Sequence, residues 1–144
     1  MILRATETAI LELLKPAVDD IAGAGVIPFL LADEEEAKPQ MPHIVIICEE
    51  SEEIVTPGSG IFKVGCEVRL VSHTRASDAE WRQDVLDAIN NFAYDTPAAK
   101  LSELTGFHCY GFEPKAGAIS IDNDQKSTVY TMRYDLTCMA RDNT

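Results

Sequence analysis

Four cysteines, three histidines and a group of closely spaced carboxylates are the side chains of this 144-residue chain that could do covalent or metal chemistry. Cys48, Cys66, Cys109 and Cys138 are widely spaced, with no C-x-x-C pair, so the close ligand pairs of a zinc site are missing. Each falls in a stretch that reads as strand. The expectation is four buried, reduced thiols packing as small hydrophobes. His43, His73 and His108 each lie in or at the end of a strand, far apart in sequence. His108 and Cys109 are neighbours on one strand, so their side chains point to opposite faces and do not act as a pair. A cross-strand pairing of Cys66 or Cys138 with a histidine stays open at this point.

The carboxylates Glu49, Glu50, Glu52 and Glu53 sit where a strand runs into a loop, the expected place for solvated charge. Gly23-Ala24-Gly25 begins like a dinucleotide fingerprint, but the sixth position is Pro28 and no clear helix follows; a turn is the better reading. Asp122-Asn123-Asp124 begins like a calcium loop, whose sixth and twelfth positions require Gly and Glu. Here they are Ser127 and Arg133, so the motif is rejected. The expectation is therefore a chain with no catalytic, cofactor-binding or metal-ligating residues and no cofactor, and not an enzyme.

The bulk properties narrow the field further. Length is that of one domain, 1–144, able to bury a proper core. Apolar residues make up 46%, an ordinary share for a globular chain. A net charge of −12 makes bare nucleic acid a poor partner, because its backbone calls for clustered Lys and Arg. No apolar run approaches the roughly 18–20 residues of a membrane helix, so no membrane partner is expected. Met1-Ile2-Leu3-Arg4, followed by Glu7 and Glu12, does not read as a signal peptide.

The elements follow from periodicity. Ile10, Leu13 and Leu14 recur at helical spacing, with Glu7, Glu12 and Lys15 on other faces. Pro16 either interrupts this helix or starts a second short one. Val26 to Leu31, broken by Pro28, reads as an irregular edge strand. Asp33 to Glu36 and the segment up to Pro42 read as an exposed linker. His43 to Glu49 is a strand whose continuous run from Ile44 to Ile47 suits burial on both faces. After the loop Thr56-Pro57-Gly58-Ser59-Gly60, the residues Phe62, Val64, Cys66, Val68 and Leu70 alternate with Lys63, Glu67 and Arg69. That period of two predicts a long strand with one buried and one wet face.

Ser77 and Glu80 have the spacing of a capping box. The helix they would open carries Trp81, Val85, Ala88, Ile89 and Phe92 along one stripe and should lie across the sheet. Pro97 to Leu104 reads as a further short helix stopped by Gly106. Phe107 to Phe112 reads as a strand, Pro114 to Gly117 as a turn and Ala118 to Ile121 as a short strand. Ser127 to Arg141 closes the chain as a second long strand, with Tyr130, Met132, Tyr134, Leu136 and Cys138 on one face. The predicted fold is α+β: an antiparallel or mixed β-sheet of about four main strands, a helix packed across one face, and an N-terminal helix.

This order of elements, with Thr56-Pro57-Gly58-Ser59-Gly60-Ile61-Phe62, Val68-Arg69-Leu70-Val71-Ser72, Tyr110-Gly111-Phe112 and Tyr130-Thr131-Met132-Arg133-Tyr134-Asp135-Leu136, resembles the tail-terminator and tail-completion proteins of tailed bacteriophages, minor tail proteins of the lambda-type long-tailed phages. The resemblance covers most of the chain. It implies a structural virion protein of the tail or neck, made in the host cytoplasm. Such a protein assembles as a homo-oligomeric ring, commonly a hexamer. The ring caps the tail tube, ends its polymerisation and meets the head–tail connector. The implied partners are further copies of the chain, the tail tube protein and connector proteins, with DNA passing the lumen unbound.

The acidic, glycine-containing loop with Glu50, Glu52, Glu53, Thr56, Pro57, Gly58 and Gly60 is the expected contact with a subunit or partner. Two other readings stand beside this one. The chain could be a head-closure, connector or tube subunit of the same virion. Or it could be a small cytosolic enzyme or ligand-binding module with a pocket between sheet and helix.

Overall fold

The structure, a computed structural model, describes residues 2–21, 23, 27–31, 41–50, 61–73, 76–96, 98–122 and 126–139. The fold is α+β. Helix α1 (Ile2–Asp19) leads into strands β1 (Phe29–Leu31), β2 (His43–Glu50) and β3 (Ile61–His73). A 3-10 turn (Ala76–Asp78) opens helix α2 (Ala79–Asp95), and helix α3 (Ala98–Thr105) follows. Strands β4 (His108–Asp122) and β5 (Ser127–Met139) complete a five-stranded sheet of order β1-β2-β3-β5-β4. β1 runs parallel to β2 and the other pairings are antiparallel, so the sheet is mixed.

Alternation builds the core as the sequence predicts. Val64, Cys66, Val68 and Leu70 on β3 are buried, between Ile44, Ile46 and Cys48 on β2 and Tyr134, Leu136 and Cys138 on β5. The helices close this face with Ile10, Leu14 and Val18 of α1, Val85, Leu86, Ile89 and Phe92 of α2, and Leu101 of α3. Each such aliphatic side chain, fully buried, contributes about 1.5–3 kcal/mol of transfer free energy. Phe92 stands edge-on to Phe112 and Tyr134 at 5.5 and 6.0 Å between ring centroids. Val45 is buried on the opposite side of β2, so this strand is enclosed on both faces there. The edge strand expected around Val26 to Leu31 is present as the three residues of β1.

Three local readings are corrected. Pro16 neither breaks α1 nor starts a new helix; the helix passes through it, and the Asp20 N–H donates to the Pro16 carbonyl at 3.2 Å. Pro16 is exposed, while Leu14 and Val18 on either side of it are buried and hold both halves against the core. The capping box is not formed: Asp78 is the N-cap residue, and no side chain caps the helix. The Asp78 carboxylate instead accepts from Trp81 Nε1 at 3.3 Å. Pro114 to Gly117 is not a turn. It lies within β4, where the register shifts by one residue between Lys115 and Ala118, a β-bulge. A proline is tolerated there because β4 is the edge of the sheet. Gly117 is required by close approach, since a Cβ on it would lie 2.6 Å from the Thr131 carbonyl oxygen.

A second irregularity lies between Cys109 and Gly111. It puts Cys109 and Phe112, three residues apart, on the same buried face, which strict alternation forbids.

Candidate functional site

The predicted contact loop lies outside the described residues, apart from Glu50, which ends β2. The acidic run Asp33 to Glu36 also lies outside them.

The thiols are free and buried, as expected. Cys48 lies directly opposite Cys66, and Cys109 directly opposite Cys138, so the sheet brings them together in two cross-strand pairs. The open question of a cysteine–histidine pair is thereby answered against it: Cys66 lies opposite Cys48 and Tyr134, Cys138 lies opposite Cys109, and no histidine is paired in register with either. The Cys48 thiol is pushed far up, first by its hydrogen bond with Cys66, then by burial and the neighbouring charges of Cys66 and Glu7. Burial, followed by Cys109 and Cys66, raises Cys138 to about 12. Thiols held in this way stay protonated and are poor nucleophiles. Among the described residues no group of three or more His, Cys, Asp or Glu side chains is placed to hold a metal.

The spacing sets Glu7 on another face of α1 than Ile10, Leu13 and Leu14, yet Glu7 does not reach solvent. It is buried at 5% exposure, and its Oε2 accepts the Cys48 N–H at 3.0 Å. β1 ends opposite Ile46, so Cys48 lies two residues beyond the reach of that strand. Glu7 thus covers the stretch of β2 edge that β1 leaves open. Its only sequence signal is its place one turn before Ile10 and Leu11.

Among the described residues no helix packs on the other face of the sheet, and charge collects there around Gly65. Glu67 Oε2 accepts from Arg69 Nε and Nη2 at 3.0 and 2.6 Å, and its Oε1 accepts from Arg133 Nε at 3.2 Å. Asp135 Oδ2 lies 3.9 Å from Lys63 Nζ and 3.5 Å from Lys115 Nζ. The strand period explains the clusters: Lys63, Gly65, Glu67 and Arg69 share one face of β3, beside Arg133 and Asp135 on β5. Gly65 lies opposite both Glu49 and Asp135 and presents no side chain. A shallow groove of about 130 Å³ results, with Gly65 as its floor and Glu49, Glu67, Lys115, Arg133 and Asp135 around it. Each ion pair here is half-exposed and adds at most about 1 kcal/mol, so the clusters matter more for the surface they display than for stability.

A long hairpin is the second distinctive feature. Residues 113–121 of β4 are exposed throughout, and Ile119 and Ile121 are open to solvent at 66% and 60%. They continue the core side of the sheet past the part that the helices cover, beside Tyr130 and Thr128.

The arrangement has a counterpart among solved structures. The chain shares its fold with a chain of the virion of a native gene transfer agent (GTA) particle. The TM-score is 0.55 at 9% identity, over 92% of this chain and 98% of that one. A bacteriophage SPP1 protein, gp17, is also similar, with a TM-score of 0.43 at 18% identity over 98% of this chain and 92% of that one. No family model and no curated protein matches the chain. The likeness to the GTA chain runs almost end to end on both sides, so it concerns the whole arrangement of sheet and helices. Among the described residues no helix is long and apolar enough to cross a membrane.

Proposed function

We propose that this chain is a structural virion protein of a tailed phage or phage-like particle. It acts there as a tail terminator: copies form a ring, with six as the expected number, that caps the tail tube and meets the head-side connector. The observation that carries this reading is the end-to-end fold likeness to a chain of the GTA virion, 92% of this chain against 98% of that one. The segment-by-segment resemblance to tail-terminator proteins points the same way. Buried thiols and a groove whose Glu67 and Asp135 carboxylates are held by Lys and Arg suit a structural role better than a catalytic one. A long hairpin exposed along residues 113–121 suits a protein that works by contact. The loop with Glu50, Glu52, Glu53, Thr56, Pro57, Gly58 and Gly60 is the proposed contact with the tube or connector, and an acidic surface suits a channel through which DNA passes.

The test is a particle lacking the protein. A terminator's absence yields over-long tubes and heads without tails, and the intact particle carries the protein at one end of the tube in the copy number of a single ring. Tails of normal length that join heads without it would sink the terminator role. A copy number scaling with tube length would make it a tube subunit instead.

A further inference from the structure

All four cysteines of the chain stand in directly opposed pairs, Cys48 across from Cys66 on β2 and β3, and Cys109 across from Cys138 on β4 and β5. In an antiparallel pair, opposed residues either exchange both backbone hydrogen bonds or turn both groups away from each other. The second kind sets the side chains closer, with Cα atoms about 4.5 Å apart. The backbone bonds show which kind these pairs are. The Cys48 N–H donates to Glu7 Oε2 at 3.0 Å, away from β3, and Ile44, in the same alternation, donates to the Pro28 carbonyl at 2.9 Å. The Cys109 N–H donates to Ser102 Oγ at 2.8 Å, away from β5, and the Cys109 carbonyl lies 3.4 Å from the same hydroxyl. Both cysteine pairs are therefore of the close kind. A separation near 4.5 Å falls inside the roughly 4.4–6.8 Å that a disulfide spans. The thiols of Cys48 and Cys66 already share a hydrogen bond.

We propose that Cys48 with Cys66, and Cys109 with Cys138, are two sites of cross-strand disulfide formation, closed by a small-molecule disulfide such as oxidised glutathione while the fold stays intact. The proposal stands on sheet register and does not rest on the virion reading. Only these two pairings are in reach. Cys66 lies opposite Tyr134, four residues along β5 from Cys138. That is on the order of 10 Å, beyond the roughly 7 Å limit of a bridge. Each pair has an outer member, Cys48 or Cys109 at 6% exposure, and an inner one, Cys66 at 1% or Cys138 at 0%. Cys48 and Cys109 also lie within two residues of a strand end, where local opening admits a reagent. The outer thiol gives up its proton and attacks one sulfur of the small disulfide, whose S–S bond breaks and whose leaving thiolate takes that proton. The inner thiol then gives up its proton and attacks the outer sulfur, forming the protein S–S bond and expelling the second small thiol. Two protein thiols are oxidised for each small disulfide reduced, and both protons end on the released thiols. One bond ties β2 to β3 at the loop end of their hairpin; the other ties β4 to β5 at the open end of theirs.

The full-length chain tests this. It is fully reduced, then held without denaturant in about 5 mM oxidised glutathione at about pH 8.5, and quenched in acid. Because the thiols are buried and protonated, the exchange should take hours rather than seconds. Intact mass should then fall by the mass of two hydrogen atoms for each bond, and peptide mapping should find Cys48 linked to Cys66 and Cys109 linked to Cys138. The melting midpoint of the doubly bridged chain should rise by about 5–15 °C, because each bond restricts the unfolded chain. Cys48→Ala should form the Cys109–Cys138 bond alone, and Cys109→Ala the Cys48–Cys66 bond alone, so the two shares of that rise are read separately. The native chain carries the test whether or not these variants fold. Four thiols retained through a full day would overturn the proposal. So would crossed links, links that form only after unfolding in urea, or a melting midpoint that falls on oxidation.

Discussion

Glu7 of α1 accepts the backbone N–H of Cys48 of β2 at 3.0 Å, joining residues 41 apart in sequence. The bond fastens the N-terminal helix to the sheet at the point where β1 has ended. Arg4, one turn earlier, lies 3.6 Å from the other carboxylate oxygen. Replacing Glu7 by Ala removes the acceptor and leaves a buried N–H unpaired, which should cost about 1–3 kcal/mol. Glu7→Gln keeps an acceptor of nearly the same shape and should cost less. Urea unfolding of the two variants checks the order; equal losses would mean that packing, not the hydrogen bond, is what Glu7 supplies.

Val68 is fully buried on β3 between Ile46 and Met132. Val68→Asp puts a charge among apolar side chains with no partner, and should cost several kcal/mol, enough to unfold a domain of ordinary stability. The neighbouring Arg69→Asp, on the open face, should fold. Circular dichroism melts of the pair test the strand register directly, since a slip of one residue would exchange the two outcomes.

The bulge in β4 separates two glycines that sequence alone treats alike. A Cβ at Gly117 would meet the Thr131 carbonyl oxygen at 2.6 Å, whereas one at Gly111 meets nothing within 4 Å. Gly117→Ala should therefore destabilise the hairpin by about 1–3 kcal/mol, and Gly111→Ala should be near neutral. Thermal melts that rank them the other way would contradict the bulge geometry.

The thiols predict the response to alkali. Cys138 is raised from 9.0 to about 12 by burial, and Cys48 is raised as well. A folded-state value above the unfolded one means that the native chain holds its protons longer. The stability from these thiols is thus fully present below pH 9, falls as pH rises towards about 12, and is spent once the native thiols ionise too. Urea midpoints between pH 8 and 11 should drop steadily. Native protein at pH 8 should resist iodoacetamide, with all four cysteines alkylated after unfolding; rapid native alkylation would contradict their burial.

Much of this fold was legible in the residues. The alternation of Val64, Cys66, Val68 and Leu70 specified which side of β3 is buried, and the stripe from Val85 to Phe92 specified the inner face of α2. Both patterns report local periodicity, and burial of one face is all that they need to be read. The long second hairpin was seen as two pieces because Pro114 and Gly117 carry the same signal in a turn and in an edge bulge. Only the partner strand decides between them, by supplying the Thr131 carbonyl that Gly117 must approach. The capping box failed for a related reason: Asp78 had an indole within reach, which the spacing of Ser77 and Glu80 could not reveal.

The sequence by itself determined the fold class, the buried faces of β3, β5 and α2, the burial of the four thiols and the strongly acidic balance of the chain. Those properties depend on residue type and on neighbours a few positions away. Tertiary structure decided what depends on partners far along the chain. It turned Glu7 inward to Cys48, set Cys48 opposite Cys66 and Cys109 opposite Cys138, and gathered Lys63, Glu67, Lys115, Arg133 and Asp135 around Gly65. Residues from three strands meet in that cluster, and strand order and register, which no local pattern encodes, are what bring them together.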